Sequence, residues 1–223
     1  MRISTVNIAW ILFLLGGCAS APYRQLDDTS ASIEAFVRQS TPVSITDAFS
    51  GKHAIALSTL KSDLAVSPSR TPLIEFAGYR SLAIPVVNDA RSATSVTIKS
   101  YVTRTSDGRP FMFYPILSVV ADDGSVVETL KPKYEFDFDG KVLTNTFAVA
   151  ANTRRFLVHS SPEYFGYSFS QLSTSGVKPG SFAGAAGVVG AVAASALELA
   201  LRERTEERDV KLGPAGVISI RHE

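Results

Sequence analysis

The side chains able to do covalent or acid–base chemistry are few in this chain, and they are scattered. The only thiol among the 223 residues belongs to Cys18, and the three imidazoles belong to His53, His159 and His222. A zinc site needs three or four ligands, and none of these histidines has a second histidine or a carboxylate at ligand spacing. We therefore predict no metal and no cofactor, and we expect each histidine to be structural.

Two segments contain incomplete versions of known site motifs. The segment from Gly166 to Ser170 begins like the nucleophile elbow of hydrolases, but a serine stands where the second glycine belongs. The segment from Glu135 to Gly140 begins like a calcium loop, but Thr146 occupies the twelfth position, where a bidentate glutamate is required. We predict a strand at Glu135 to Gly140, no catalytic residue, and a non-enzymatic protein.

The surroundings of Cys18 predict a specific modification of its thiol. An apolar run from Ile8 to Leu15 follows the charge of Arg2, and it has the length of a secretory signal rather than of a membrane span, which needs about 20 residues. The end of this run resembles the bacterial lipobox, whose cysteine sulfur receives a diacylglycerol before the signal is cleaved and the new amino group is acylated. The lipobox residues are Leu15, Gly16, Gly17 and Cys18. The alternative is ordinary cleavage near Ala19 to Ala21, with no role for the cysteine.

Lipidation at Cys18 predicts both the location and the domain boundaries. One acyl chain binds a membrane only reversibly, at roughly 0.8 kcal/mol per buried methylene, whereas two or more chains hold a protein stably. In bacterial lipoproteins the positions after the lipidated cysteine decide in which membrane the protein is placed. Here these positions hold Ala19 and Ser20 and no aspartate, so we expect the outer membrane, with the protein facing the periplasm. We predict a signal peptide at 1–17, the lipidated cysteine with a tether at 18–30, and a domain at 31–223.

Composition excludes some partners. The chain carries 22 basic and 21 acidic residues, a net charge of +1, with neither sign gathered into a block. Nucleic-acid binding needs a basic face, so we predict no nucleic-acid partner. A hydrophobic content of 45% is sufficient for a core.

Hydrophobic periodicity predicts a mainly β fold with a short N-terminal helix. Apolar residues at helical spacing predict a helix from Ala31 to Gln39, and extended chain is expected from Thr41 to Phe49. Ser95 to Val102 alternates polar and apolar residues, which is typical of a half-buried strand, and Phe111 to Val120 is predicted as one strand covered on both sides. Short strands separated by Gly and Asp turns favour an antiparallel β-sandwich, jelly-roll-like in type.

A small-residue segment interrupts the strand pattern before the last strand. We predict one long Ala/Gly-rich helix at about 181–208, whose small residues recur four apart, as in helices that approach closely. Its packing candidates are Gly180, Gly184, Gly187 and Gly190. The helix could pack on the domain, lie in or on the membrane, or form an oligomer seam, and we favour packing on the domain or on a partner, since glycine costs roughly 1 kcal/mol against alanine in a helix.

The order of these segments resembles the maltose operon periplasmic protein family. The resemblance lies in the short helix followed by Thr41-Pro42-Val43, in the strand at Ser95 to Val102, in Tyr114 to Asp122, in Phe156 to Tyr164, and in the closing strand from Gly213 to Ile220. It implies a periplasmic β-sandwich associated with carbohydrate uptake, without an established molecular activity. The lipobox and the Ala/Gly-rich helix depart from the family pattern.

We therefore expect an outer-membrane lipoprotein that serves as an accessory or binding protein in envelope carbohydrate handling or transport. The alternative is a structural or assembly lipoprotein whose Ala/Gly-rich helix docks a membrane or protein partner. Tyrosines could stack on sugar rings, but their strand spacing favours the core. These are Tyr79, Tyr101, Tyr114, Tyr134 and Tyr164.

Overall fold

The computed structural model describes residues 23–76, 78–89, 93–130, 133–137, 141–166 and 210–223. This part of the chain is mainly β, as predicted, and its α-helices are α1 (Ser30–Gln39) and α2 (Ile45–Ser50). In chain order its strands are β1 Arg24–Gln25, β2 Ile55–Ala56, β3 Leu64–Val66, β4 Leu73–Phe76, β5 Tyr79–Val87, β6 Ser95–Tyr101, β7 Thr103–Arg104, β8 Pro110–Phe113, β9 Ile116–Val120, β10 Val126–Leu130, β11 Lys133–Asp137, β12 Val142–Ala148, β13 Arg155–His159, β14 Lys211–Gly213 and β15 Gly216–His222. The predicted signal peptide, lipobox, Cys18 and Ala/Gly-rich helix lie outside the described residues.

The first helix is confirmed, and the second was not predicted. Thr29 caps α1 by accepting a hydrogen bond from the Ser32 backbone N–H at 3.0 Å, and Ile33 is buried. The prediction of extended chain up to Phe49 was wrong. Ser44 caps α2 by accepting from the Asp47 backbone N–H at 3.0 Å, the local bonding that favours a helix start.

Two large sheets contain most of the strands. The five-stranded sheet has the order β11-β12-β6-β15-β3 and is antiparallel throughout. Its strand β6 alternates buried and half-buried residues, as its sequence predicts. The six-stranded sheet has the order β10-β9-β13-β5-β2, with β4 also paired to β5, and its pairs are antiparallel except for β2 with β5.

The predicted single strand from Phe111 to Val120 is in fact two strands in different sheets. Pro115 separates them, since proline has no backbone N–H to donate to a ladder. Strand β8 joins a third, four-stranded sheet, whereas β9 joins the six-stranded sheet. The Asn145 side-chain amide donates to the Pro115 carbonyl at 2.9 Å, and this bond holds the crossing point against β12.

The third sheet corrects the prediction of purely antiparallel pairing. It has the order β1-β7-β8-β14, and both of its outer pairs, β1 with β7 and β14 with β8, are parallel. Parallel neighbours need long connections, and these strands come from distant parts of the chain. Residues near the two ends of the described chain therefore meet in one small sheet.

The N-terminal residues from Tyr23 onward are part of the fold, within the range predicted as tether. Leu26 is buried, and its N–H donates to the Arg104 carbonyl at 2.9 Å. Arg104 lies over the Tyr23 ring at 4.1 Å from its centroid, and the Lys141 ammonium donates to the Tyr23 hydroxyl at 3.0 Å. Cation–π contacts of this kind contribute about 0.5–1 kcal/mol at exposed sites.

A single cluster of buried apolar residues draws on helix α1 and on both larger sheets. It contains Ile33 of α1, Phe156 of β13, Phe147 of β12 and Ile218 of β15. The Arg221 to Glu223 end is exposed, as predicted for a strand that ends in water.

We predict that Gly216→Ala lowers the free energy of unfolding by about 1–3 kcal/mol, the usual cost of overpacking. A Cβ on Gly216 would lie 2.9 Å from the Phe113 Cβ and 3.0 Å from its backbone nitrogen. The matched control is Gly213→Ala, whose Cβ would meet the Phe111 ring at an ordinary 3.5 Å. Urea unfolding followed by circular dichroism measures both variants, and equal midpoints would contradict the role given to this contact.

Candidate binding groove

A groove of about 530 Å³ lies between α1, β8, β14 and the chain around Phe165. This volume is within the range of about 300–1,000 Å³ that small-molecule sites occupy. Ile33, Leu212 and Gly213 are its buried lining residues, and Val37, Phe111 and Phe165 are half-buried. The inner surface of the groove is therefore largely apolar.

Sequence spacing explains how the groove walls form. Ile33 and Val37 are four residues apart on α1, so they lie on the same face of the helix. Phe111 and Lys211 are register partners in the parallel β8–β14 pair. One wall is thus a helix face, and the other is a strand pair that brings together residues 100 positions apart in the sequence.

The mouth of the groove carries more positive than negative charge. Arg38, Arg109 and Lys211 line it and are exposed, and Glu34 is the only carboxylate among the lining residues described. An Arg38 nitrogen lies 3.5 Å from a Glu34 oxygen, and the Arg109 Nε lies 3.6 Å from Asp107. Exposed pairs of this kind contribute about 0–1 kcal/mol, so an incoming anion can compete for both guanidinium groups.

Asp107 fixes the start of α1 beside the groove. The Ser30 hydroxyl donates to this carboxylate at 2.6 Å, and the Ser30 backbone N–H donates at 3.1 Å. The bonds from the Ser30 hydroxyl and the Ser30 backbone N–H hold the pKa of Asp107 well below its usual range. The carboxylate also satisfies one free N–H of the first helical turn, so the β7–β8 turn and the helix hold one orientation.

A buried polar cluster around His159 is the second site that could do chemistry. The Ser118 Oγ lies 2.8 Å from the His159 Nε2 and 3.0 Å from the Thr129 Oγ1. The His159 Nδ1 faces the Ser160 carbonyl at 3.2 Å and the Tyr79 hydroxyl at 3.4 Å.

The geometry of this cluster differs from that of a serine hydrolase. In such an enzyme a carboxylate orients the histidine, whereas the Nδ1 of His159 has a carbonyl and a phenol as neighbours. Ser118 and His159 are each 1% exposed, and the Phe76 ring stacks on the imidazole at 4.2 Å. Substrate has no access to the Ser118 hydroxyl, and the cluster is a packed part of the six-stranded sheet.

The remaining sequence-predicted site residues fall into two groups. The lipobox residues Leu15, Gly16, Gly17 and Cys18, and the glycines Gly180, Gly184, Gly187 and Gly190, lie outside the described residues. Tyr114 and Tyr164 are buried, as predicted for core tyrosines, and their rings lie 4.5 Å apart, whereas Tyr79 and Tyr101 are half-buried. Within the described ranges no three His, Cys, Asp or Glu side chains lie close enough to hold a metal, and neither described α-helix is long and apolar enough to cross a membrane.

Comparisons with protein-family models, with curated proteins and with solved structures found no match to this chain. The resemblance to the maltose operon periplasmic protein family therefore stays a prediction.

Sequence reasoning did not identify the groove. The apolar stripe of α1 was visible in the sequence, but it is equally typical of a helix that packs wholly on a core. Only the parallel pairing of β14 with β8 places Lys211 and Phe111 opposite that stripe.

We predict that stability falls by about 2 kcal/mol between pH 7 and pH 5 because of His159. Burial lowers the pKa of this imidazole to about 4 from its ordinary 6.5. Between these two pKa values the unfolded chain binds a proton at His159 that the folded chain does not. The contribution of His159 to the free energy of unfolding is therefore complete above pH 6.5 and is lost as the pH falls toward 4.

Chemical denaturation at the two pH values measures this loss. His159→Phe keeps a ring in the stack and should flatten the dependence. His222→Gln, at the exposed strand end, should keep the wild-type difference. A wild-type slope in the His159→Phe variant would show that another group is responsible.

Proposed function

We propose that the protein is a non-enzymatic lipoprotein of the outer membrane, anchored through Cys18 and facing the periplasm, and that the groove is its ligand-binding site. The observation that carries this proposal is an apolar cavity of about 530 Å³ with a charged mouth. A concave, mostly apolar site with a few convergent polar groups is the usual form of a small-molecule site.

The position of Tyr23 supports a role close to the membrane. Tyr23, which is held by Arg104 and Lys141, lies five positions after Cys18 in the chain. Even fully extended, that length spans roughly 17 Å. A lipid on Cys18 would keep the four-stranded sheet next to the membrane surface.

Carbohydrate handling enters the proposal through the family resemblance. Phe111 and Phe165 offer half-buried rings on which a pyranose could stack, and Glu34 and Arg38 could bond its hydroxyls. Maltodextrins and envelope glycans are therefore among the ligands to be tested.

We also propose that the two larger sheets form a β-sandwich with the helix at about 181–208 inserted before β15. The support is the shared core, in which Phe156 of one sheet and Phe147 of the other belong to one cluster.

Assembly with an envelope partner is the second proposed role, and the exposed edge strand β10 favours it. Val126 and Val127 on this strand are 41% and 66% exposed. Edge strands are templates for pairing with another chain. Deleting Ser181 to Leu201 tests the version in which the Ala/Gly-rich helix docks the partner, because lost complex formation with an intact fold would favour it.

We predict that the neutral dye N-phenyl-1-naphthylamine binds the groove with increased, blue-shifted fluorescence. Val37→Asp, which places a carboxylate on the apolar wall, should reduce dye affinity at least tenfold, the effect of about 1.4 kcal/mol. Ala31→Asp puts the same charge on an exposed position of α1 and should bind like the wild type. Absence of dye binding to a folded wild-type protein would remove the groove from the proposal.

We predict that Cys18→Ser abolishes labelling by palmitate in cells and releases the protein from the membrane fraction. A single thiol is present, so the loss must be complete rather than partial. Wild-type protein that stays unlabelled and soluble would contradict the anchor.

A further inference from the structure

We infer that the groove binds a single lipid monomer with an acidic head group, drawn from the membrane to which the protein is anchored, with its acyl chain against the apolar walls. This inference rests on the proposed function and names the ligand class of the same site. The feature behind it is one apolar groove with three cations at its mouth.

Charge and apolar surface are separated within the groove. Arg38 follows Val37 in α1, and Lys211 precedes Leu212 in β14, so in each element an exposed cation neighbours an apolar lining residue. A ligand that satisfies both surfaces has an apolar body and an anionic end. Phosphate alone would leave the apolar walls in water, and a neutral sugar would offer the cations no negative charge.

The chemistry of the cations suits an oxyanion. Arg38 and Arg109 contribute guanidinium groups whose present ion pairs, with Glu34 and Asp107, are exposed and 3.5–3.6 Å long. Guanidinium bonds to phosphate or carboxylate are planar and often bidentate, and each is stronger than a bond between neutral groups. An acidic head group would therefore replace weak pairs with stronger ones.

The source of the lipid follows from where the groove lies in the fold. Strands β8 and β14 of the groove and strand β1 beside Tyr23 belong to the same four-stranded sheet. Tyr23 also packs against the buried cluster that contains Leu212. The groove is thus built on the sheet that the anchor would hold near the membrane surface.

Displacement of N-phenyl-1-naphthylamine from the full mature chain tests the ligand class. The amphiphilic competitors are octyl, decyl and dodecyl phosphate, dodecyl maltoside and dodecyltrimethylammonium, each used below its micelle-forming concentration. Inorganic phosphate is the competitor without an alkyl chain. We expect dodecyl phosphate to bind about tenfold or more tightly than dodecyl maltoside, the effect of a charge-assisted hydrogen bond. Each added methylene should tighten binding roughly fourfold, and added salt should weaken the phosphate series alone.

Charge-neutralising variants locate the head-group contact. Arg109→Gln combined with Lys211→Gln should lower affinity for dodecyl phosphate about tenfold more than it lowers affinity for dodecyl maltoside. Lys52→Gln combined with Lys61→Gln removes two exposed charges away from the groove and should change neither affinity. A neutral and an anionic amphiphile that bind equally, or variant pairs that behave alike, would overturn the inference.

One further outcome separates this inference from the proposed function. Dye binding without any preference for the anionic amphiphile leaves the groove a ligand site and overturns the acidic head group. Dye binding to the variant that lacks Ser181 to Leu201, with none to the wild-type chain, would mean that the chain's own segment occupies the groove, and it would overturn both the inference and the groove's proposed role.

Discussion

The close contact between Gly216 and Phe113 is the constraint on which the architecture depends. A Cβ on Gly216 would lie 2.9 Å from the Phe113 Cβ and 3.0 Å from its backbone nitrogen, so a larger residue there would force β15 of the five-stranded sheet and β8 of the four-stranded sheet apart. Two residues after Phe113 the chain turns at Pro115 into β9 of the six-stranded sheet. Three sheets therefore meet within a few residues.

The groove is a consequence of that junction. Strand β14 ends three residues before Gly216, and it lies parallel to β8 with Lys211 beside Phe111. Helix α1 covers the other side, and its start is tied to the β7–β8 turn by the bonds between Ser30 and Asp107. The groove keeps its shape because one wall pairs with β8 and the other is bonded to the turn that precedes β8.

Burial and exposure lead two groups of polar side chains to different roles. His159 is enclosed by Ser118, Tyr79 and Phe76, so it stays neutral and contributes to stability. Arg38 and Arg109 stay in water at the edge of an apolar surface, where they keep their charge at little cost. The same physical cause, the cost of removing a charge from water, explains why the buried imidazole is neutral and why the guanidinium groups lie at the surface.

The amino-acid sequence by itself determined the local features: helix α1, the alternating strand β6 and the burial of Tyr114 and Tyr164. Each depends on periodicity or turn chemistry within a few residues. It also determined that Cys18 is the only thiol that a lipid could modify. Tertiary structure decided the rest: the crossing at Pro115, the parallel pairs of the small sheet, and the groove. These depend on contacts between residues as far apart as Phe111 and Lys211, and such pairings leave no periodic signal in either segment alone.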